Sequence, residues 1–102
     1  DKKVTIPERI NNKPVYSIDD SAFYGNPNLE KVTLPKYVIR IGHQTFIGNA
    51  SLTEVYLPDN LVDIGGWSFE GCPKLEAIYV KKGSKTEQSL NNLPFKKFIK
   101  YK

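Results

Sequence analysis

Phe23, Phe46 and Phe69 stand 23 residues apart, and Gly25, Gly48 and Gly71 keep the same interval. Leu29, Leu52 and Leu75 repeat it, as do Ile18, Ile41 and Ile64, and then Val32, Val55 and Ile78 with Leu34, Leu57 and Val80 two residues further on. So many columns at one spacing define a tandem repeat. A unit this short cannot bury its apolar face alone, so successive units must stack on one another as coils of a solenoid.

Within a unit the pattern Leu-x-x-Val/Ile-x-Leu/Val, as in Leu29-Glu30-Lys31-Val32-Thr33-Leu34, has the period of a strand. It sends Val32 and Leu34 inward and Thr33 outward. A second short extended piece ends at Ile18, Ile41 or Ile64, and a small residue (Ala22, Thr45, Ser68), the Phe and a glycine turn follow. The first unit is longer: Val4 and Val32 are 28 residues apart, and the excess falls in Arg9–Val15. There Ile10-Asn11-Asn12-Lys13-Pro14-Val15 reads as two extended pieces around a turn, a hairpin on the side of the coil.

Residues Val32 to Leu52, Val-Thr-Leu-Pro-x-x-Val-x-x-Ile-Gly-x-x-x-Phe-x-Gly-Asn-x-x-Leu, resemble the BspA-like leucine-rich repeat. The resemblance spans about residues 4–82 in three and a half units. Two departures are Asp19, where later units have Gly42 and Gly65, and the alanine before Phe, kept only at Ala22. The fold expected is an α/β-poor, mostly β repeat: a short right-handed leucine-rich-repeat solenoid of 23-residue coils over residues 1–82, with a small C-terminal helix–strand cap over 83–102. The resemblance also implies a secreted or surface-displayed bacterial protein, adhesive toward host or matrix proteins and without catalytic residues. Function does not follow from fold, so that step is by analogy.

In the tail, Ser84-x-x-Glu87 has capping-box spacing and predicts a helix over Lys85–Leu93 that stops before Pro94. Phe95–Tyr101 alternates as a last strand, and Leu90, Leu93, Phe95, Phe98 and Ile99 are expected to cover the end of the stack. At the other end, the column of Leu29, Leu52 and Leu75 holds Asp1. The first coil is therefore expected to be uncovered over Val4, Ile6 and Val15 and to self-associate, and the chain reads as the terminal part of something larger.

No reactive constellation is visible. Cys72, the single cysteine, shares a column with Asn26 and Asn49, where a small polar side chain bonds a turn of the coil. His43 falls in a solvent-facing slot, and Asp19 and Asp20 point to opposite sides of a strand. Neither Gly65-Gly66 nor Lys82-Gly83-Ser84-Lys85 has the spacing of a phosphate loop. Asn49-Ala50-Ser51 matches a glycosylation acceptor, but its asparagine belongs to the ladder column. These readings give no catalytic, cofactor-binding or metal-binding residue and no cofactor. The formal charge of +4 comes from the tail: residues 1–80 hold eight basic and ten acidic residues, residues 81–102 seven and one. Lys96, Lys97, Lys100 and Lys102 form a small basic strip with no nucleic-acid module beside it, so no nucleic-acid partner is expected. No apolar run approaches the ~20 residues of a membrane span.

The outward strand columns remain. One contains Thr5, Thr33, Tyr56 and Tyr79, and its neighbour Lys3, Lys31, Glu54 and Ala77. Stacked at about 4.8 Å, Tyr56 and Tyr79 would form an aromatic strip of the kind favoured at protein interfaces, or a cross-strand pair serving the sheet alone. Candidate protein-binding residues are Lys31, Thr33, Glu54, Tyr56, Tyr79 and Trp67, the last in the polar column of Ser21 and Gln44. Two functions stay open: a protein-binding repeat domain, or a structural spacer or terminal cap within a larger protein.

Overall fold

The computed structural model describes residues 3–5, 9–10, 13–18, 29–43, 45–65, 68–69, 71–91 and 93–101. Short strands dominate: β1 (Lys3–Thr5), β2 (Arg9–Ile10), β3 (Lys13–Pro14), β4 (Ser17–Ile18), β5 (Lys31–Thr33), β6 (Arg40–Ile41), β7 (Glu54–Tyr56), β8 (Asp63–Ile64), β9 (Ala77–Val80) and β10 (Ile99–Tyr101). Among the described residues a helix, α1 (Lys85–Leu90), and a 3-10 turn (Pro94–Phe98) precede the last strand.

The 23-residue columns are the registers of two parallel sheets. In the larger, β1-β5-β7-β9-β10, Val32 pairs with Val55 and Val55 with Ile78. In the smaller, β4-β6-β8, Ile18 pairs with Ile41 and Ile41 with Ile64. The longer first unit stays in register, Val4 opposite Val32, because its extra residues leave the coil as the antiparallel hairpin β2–β3.

Inward side chains of both sheets meet in one core. Val32, Val38, Phe46, Leu52, Val55, Leu57, Leu61 and Ile78 are all fully buried. Phe46 and Phe69 stack with centroids 5.4 Å apart and planes 2° from parallel. Between the sheets, backbone hydrogen bonds continue from coil to coil: Thr53 N–H donates to Glu30 O at 2.8 Å and Glu76 N–H to Thr53 O at 2.9 Å. At the far corner Gly42 N–H reaches Ile18 O and Gly65 N–H reaches Ile41 O, at 2.8 and 2.9 Å. The coils approach so closely there that a Cβ on Gly65 would lie 2.6 Å from Gly42 O and from the His43 backbone. Gly48 and Gly71 fill a different need, turning the chain at φ 74° and 73°, where a side chain is strained.

The buried hydroxyls follow the repeat. Thr45 Oγ1 donates to Gly42 O at 2.8 Å and Ser68 Oγ to Gly65 O at 2.7 Å, each three residues back. In the asparagine/cysteine column, Asn49 Nδ2 donates to Phe46 O at 2.6 Å and Cys72 Sγ reaches the same carbonyl at 3.1 Å. Cys72 therefore bonds a turn of the coil as expected. Asn26, Asp19, Asp20 and Ala22 lie outside the described residues.

After Val80 the pattern changes. Ser84 caps α1, its Oγ accepting from Glu87 N–H at 3.1 Å, while Glu87 Oε1 accepts from Gly83 N–H at 2.7 Å. The helix then sits on the last coil's Pro58–Leu61 turn. Thr86 Oγ1 accepts from Leu61 N–H at 3.0 Å and donates to Pro58 O, and Ser89 Oγ donates to Leu61 O at 2.9 Å. The Thr86 hydroxyl thus stands between two backbone groups whose counterparts one coil earlier, Val38 N–H and Pro35 O, bond each other directly at 3.2 Å.

Two boundaries differ from the expectation. The helix ends at Leu90, before the predicted Leu93, and Asn91 closes it with its N–H on Glu87 O. Phe95 begins no strand: Pro94 starts a 3-10 turn that carries Phe95 under the core, where its ring meets Phe69 edge-on at 5.3 Å. Completing the phenylalanine stack outweighs the alternating pattern, and pairing with β9 begins only at Ile99. Leu90 and Phe95 are buried, and Leu93, Phe98 and Ile99 pack partly against the core.

Phe46→Ala is expected to cost about 3–5 kcal/mol in denaturant unfolding, as a fully buried aromatic removed from a stack. Cys72→Asn should stay within about 1 kcal/mol of wild type in the same measurement, because Asn49, one coil earlier in the same column, also donates its side chain to Phe46 O.

Candidate protein-binding face

The outward side of the larger sheet collects most of the candidate residues. Strand pairing sets Lys31 beside Glu54 and Thr33 beside Tyr56, and then Glu54 beside Ala77 and Tyr56 beside Tyr79. A parallel in-register sheet leaves these side chains no other direction, since their neighbours Val32, Val55 and Ile78 fill the core.

The side chains then bond one another. Lys31 Nζ lies 3.2 Å from Glu54 Oε2, and Tyr56 O–H donates to Glu54 Oε1 at 2.5 Å. The Tyr56 and Tyr79 rings stack at 4.7 Å with planes 10° apart. Both are half-buried, and Thr33 is exposed. The result is a pre-arranged row in which cation, carboxylate, phenol and second ring hold each other, with little rotamer freedom left to lose on binding.

Titration reflects this wiring. The hydrogen bond from Tyr56, with that from Lys31, holds the Glu54 carboxyl below its ordinary 4.5. The same bond to Glu54 pushes the Tyr56 phenol up to about 12 from 10.0. Glu54 therefore favours the folded state above the ordinary carboxyl range, and that contribution fades as pH falls through its lowered value. Tyr56 favours the folded state below 10, and its contribution fades between 10 and about 12.

Ala77 departs from the sequence reading. It occupies the outward column yet is only 2% exposed, because a methyl between Glu54 on one side and the turn entering β10 on the other is too short to reach solvent. Trp67 lies outside the described residues. One contributor was missed: Lys100 on β10 pairs with Tyr79, extends the Thr33–Tyr56–Tyr79 column, and contributes to the lowered titration of Glu54. The signal was its alternation with Ile99 and Tyr101, but its register to the repeat is invisible without the cap. His43 faces solvent, as expected.

Residues 2–100 match the profile of the BspA type leucine rich repeat region, in six copies. The chain belongs to the BspA-type leucine-rich repeat family. A solved structure with the same architecture is the crystal structure of a T. pallidum leucine rich repeat protein, 32% identical, with a TM-score of 0.73. That likeness covers 78% of this chain but 40% of the T. pallidum one, so the chain spans well under half the length of this relative. No curated protein matches the chain. The short BspA-type solenoid read from the columns is thus the fold of this protein.

Spectrophotometric titration checks the wiring of the face: Tyr56 should ionise near 12, about two units above an ordinary phenol, with Tyr101 also held above the ordinary range by its bond to Glu87. Tyr56→Phe should remove that late component, and Glu54→Ala should return it toward 10.

Proposed function

We propose that the chain is a non-catalytic protein-binding repeat domain whose ligand face is the outward side of the larger sheet. The stacked Tyr56–Tyr79 pair carries this reading: two half-buried rings offer apolar area and a free edge, and Lys31, Glu54, Thr33 and Lys100 frame them with polar groups. Aromatic anchors inside a polar rim are the usual energetic centre of a protein interface. Leucine-rich repeats as a class bind proteins. In its finer form the proposal is adhesion to host or matrix proteins by a secreted or surface-displayed bacterial protein, as for other BspA-type repeats. Among the described residues no helix is long and apolar enough to cross a membrane. We place the division between array and cap near residue 82, where coil-to-coil pairing gives way to side-chain contacts from α1.

A second reading is supported by the same contacts. Because Tyr56 and Tyr79 satisfy each other and Glu54, they also stabilise the sheet, as a spacer or terminal cap of a larger protein would require. Binding and stability measured on one variant separate the two. Tyr56→Ala with Tyr79→Ala should weaken capture by immobilised extracellular-matrix proteins at least about thirtyfold, with circular dichroism unchanged. Equal capture by wild type and the folded double variant would move the ligand face elsewhere. A large loss of melting temperature with no loss of capture would support the structural reading.

A further inference from the structure

Among the described residues, the large apolar side chains that remain exposed are Tyr16, Ile39, Val62 and Tyr101. Three of these form one column at the coil period: Tyr16 at 57%, Ile39 at 44% and Val62 at 58% exposure. They precede β4, β6 and β8, on the smaller sheet and apart from the tyrosine face. Their backbones are bonded in sequence, Ile39 N–H to Tyr16 O at 2.8 Å and Val62 N–H to Ile39 O at 2.9 Å, so the three form a continuous stripe. The neighbouring column holds opposite charges one coil apart: Arg40 Nε lies 3.7 Å from Asp63 Oδ2, with both side chains more than 60% exposed. One coil past Val62, position 85 begins α1, and a groove of about 540 Å³ opens between that helix and β8, lined by Val62, Asp63, Ile64, Lys85, Gln88 and Ser89.

We propose that this stripe pairs with the stripe of a second copy of the chain, about a two-fold axis lying between the second and third rows. Two features select a second copy over another occupant. The first is pitch: any apolar ladder laid across the coils must repeat at about 4.8 Å, and an identical stripe does so automatically, whereas an extended strand presents one face only every ~6.7 Å. The second is charge. A two-fold axis between rows sets Arg40 opposite Asp63 of the second copy and Asp63 opposite its Arg40, so the surface is complementary to itself. The same operation sets Ile39 against Val62 of the second copy. It also brings Tyr16 to the groove beside Lys85 of the second copy, where a lysine stem and ammonium suit an aromatic ring.

Three half-exposed side chains and one groove are much less than the ~800 Å² per partner of a standard interface. The pairing is therefore weak and acts where copies are held at high local concentration. It is independent of the ligand face proposed above.

Sedimentation equilibrium on the 102-residue chain tests it. Wild type should show reversible dimers at roughly 0.1–1 mM. Arg40→Asp leaves two acids on the face and Asp63→Arg leaves two bases, so each variant alone should dimerise at least about tenfold more weakly. Mixed together, the two variants should form a heterodimer at least as readily as wild type, although neither retains the intramolecular pair. Val62→Lys, which keeps both charges, should also weaken dimerisation, and unchanged melting of all three variants serves as the folding control. The proposal is overturned by a wild type that stays monomeric throughout, by dimers that persist equally in the single variants, or by a mixture no more associated than its components.

Discussion

Coil-on-coil backbone pairing is the constraint from which the rest of this structure follows. Each unit contributes one strand to each of two parallel sheets, and neither strand has partners within its own unit. The bonds Thr53 to Glu30 and Gly65 to Ile41 fix the separation of adjacent coils, and that separation brings Phe46 onto Phe69 and Val32 onto Val55. Hydrogen bonding and core packing therefore cannot be gained separately. A shift of one residue would break the bonds and turn the apolar columns to solvent together. Gly65 shows how tightly this is set, since even a methyl group there would meet the preceding coil's backbone.

In the tail the type of interaction changes. Where an internal coil meets its neighbour through backbone amides, α1 meets the Pro58–Leu61 turn mainly through the hydroxyls of Thr86 and Ser89, with one backbone bond from Thr86 N–H to Asp59 O at 3.3 Å. Where an internal coil adds a stacked phenylalanine, the 3-10 turn adds Phe95 edge-on. An edge-to-face ring completes the aromatic stack without offering a parallel face for another ring. The tie from Tyr101 O–H to Glu87 then joins the last strand to the helix.

Once the inward positions are committed to the core, what remains for recognition is a matter of columns. A repeat presents each outward position several times at fixed spacing, so small choices become extended surfaces. On the larger sheet the choice is a bonded row of Lys31, Glu54, Tyr56 and Tyr79, and on the smaller it is Tyr16, Ile39 and Val62 beside Arg40 and Asp63. The two surfaces differ in kind. The first is polar-rimmed and already ordered by its own hydrogen bonds, while the second is apolar with a weak, exposed ion pair.

The amino-acid sequence alone determined the period, the inward columns, the strand registers, the hairpin that absorbs five extra residues, the Ser84 cap and the candidate row on the larger sheet. These are local or strictly periodic properties, and a fixed spacing converts directly into neighbours in space. Tertiary structure decided the rest. The end of α1 and the 3-10 turn at Pro94–Phe98 depend on where Phe95 must go to meet Phe69, a contact outside the 23-residue register. Lys100 joins the tyrosine column because β10 pairs with β9 at a 21-residue offset that no repeat spacing announces. Ala77 is buried because its neighbours overshadow it, although its column faces outward. The Tyr16–Ile39–Val62 column was present in the sequence at the same spacing as the rest, but periodicity cannot distinguish an apolar column facing the core from one facing water; only the path of the coil between the two sheets does that.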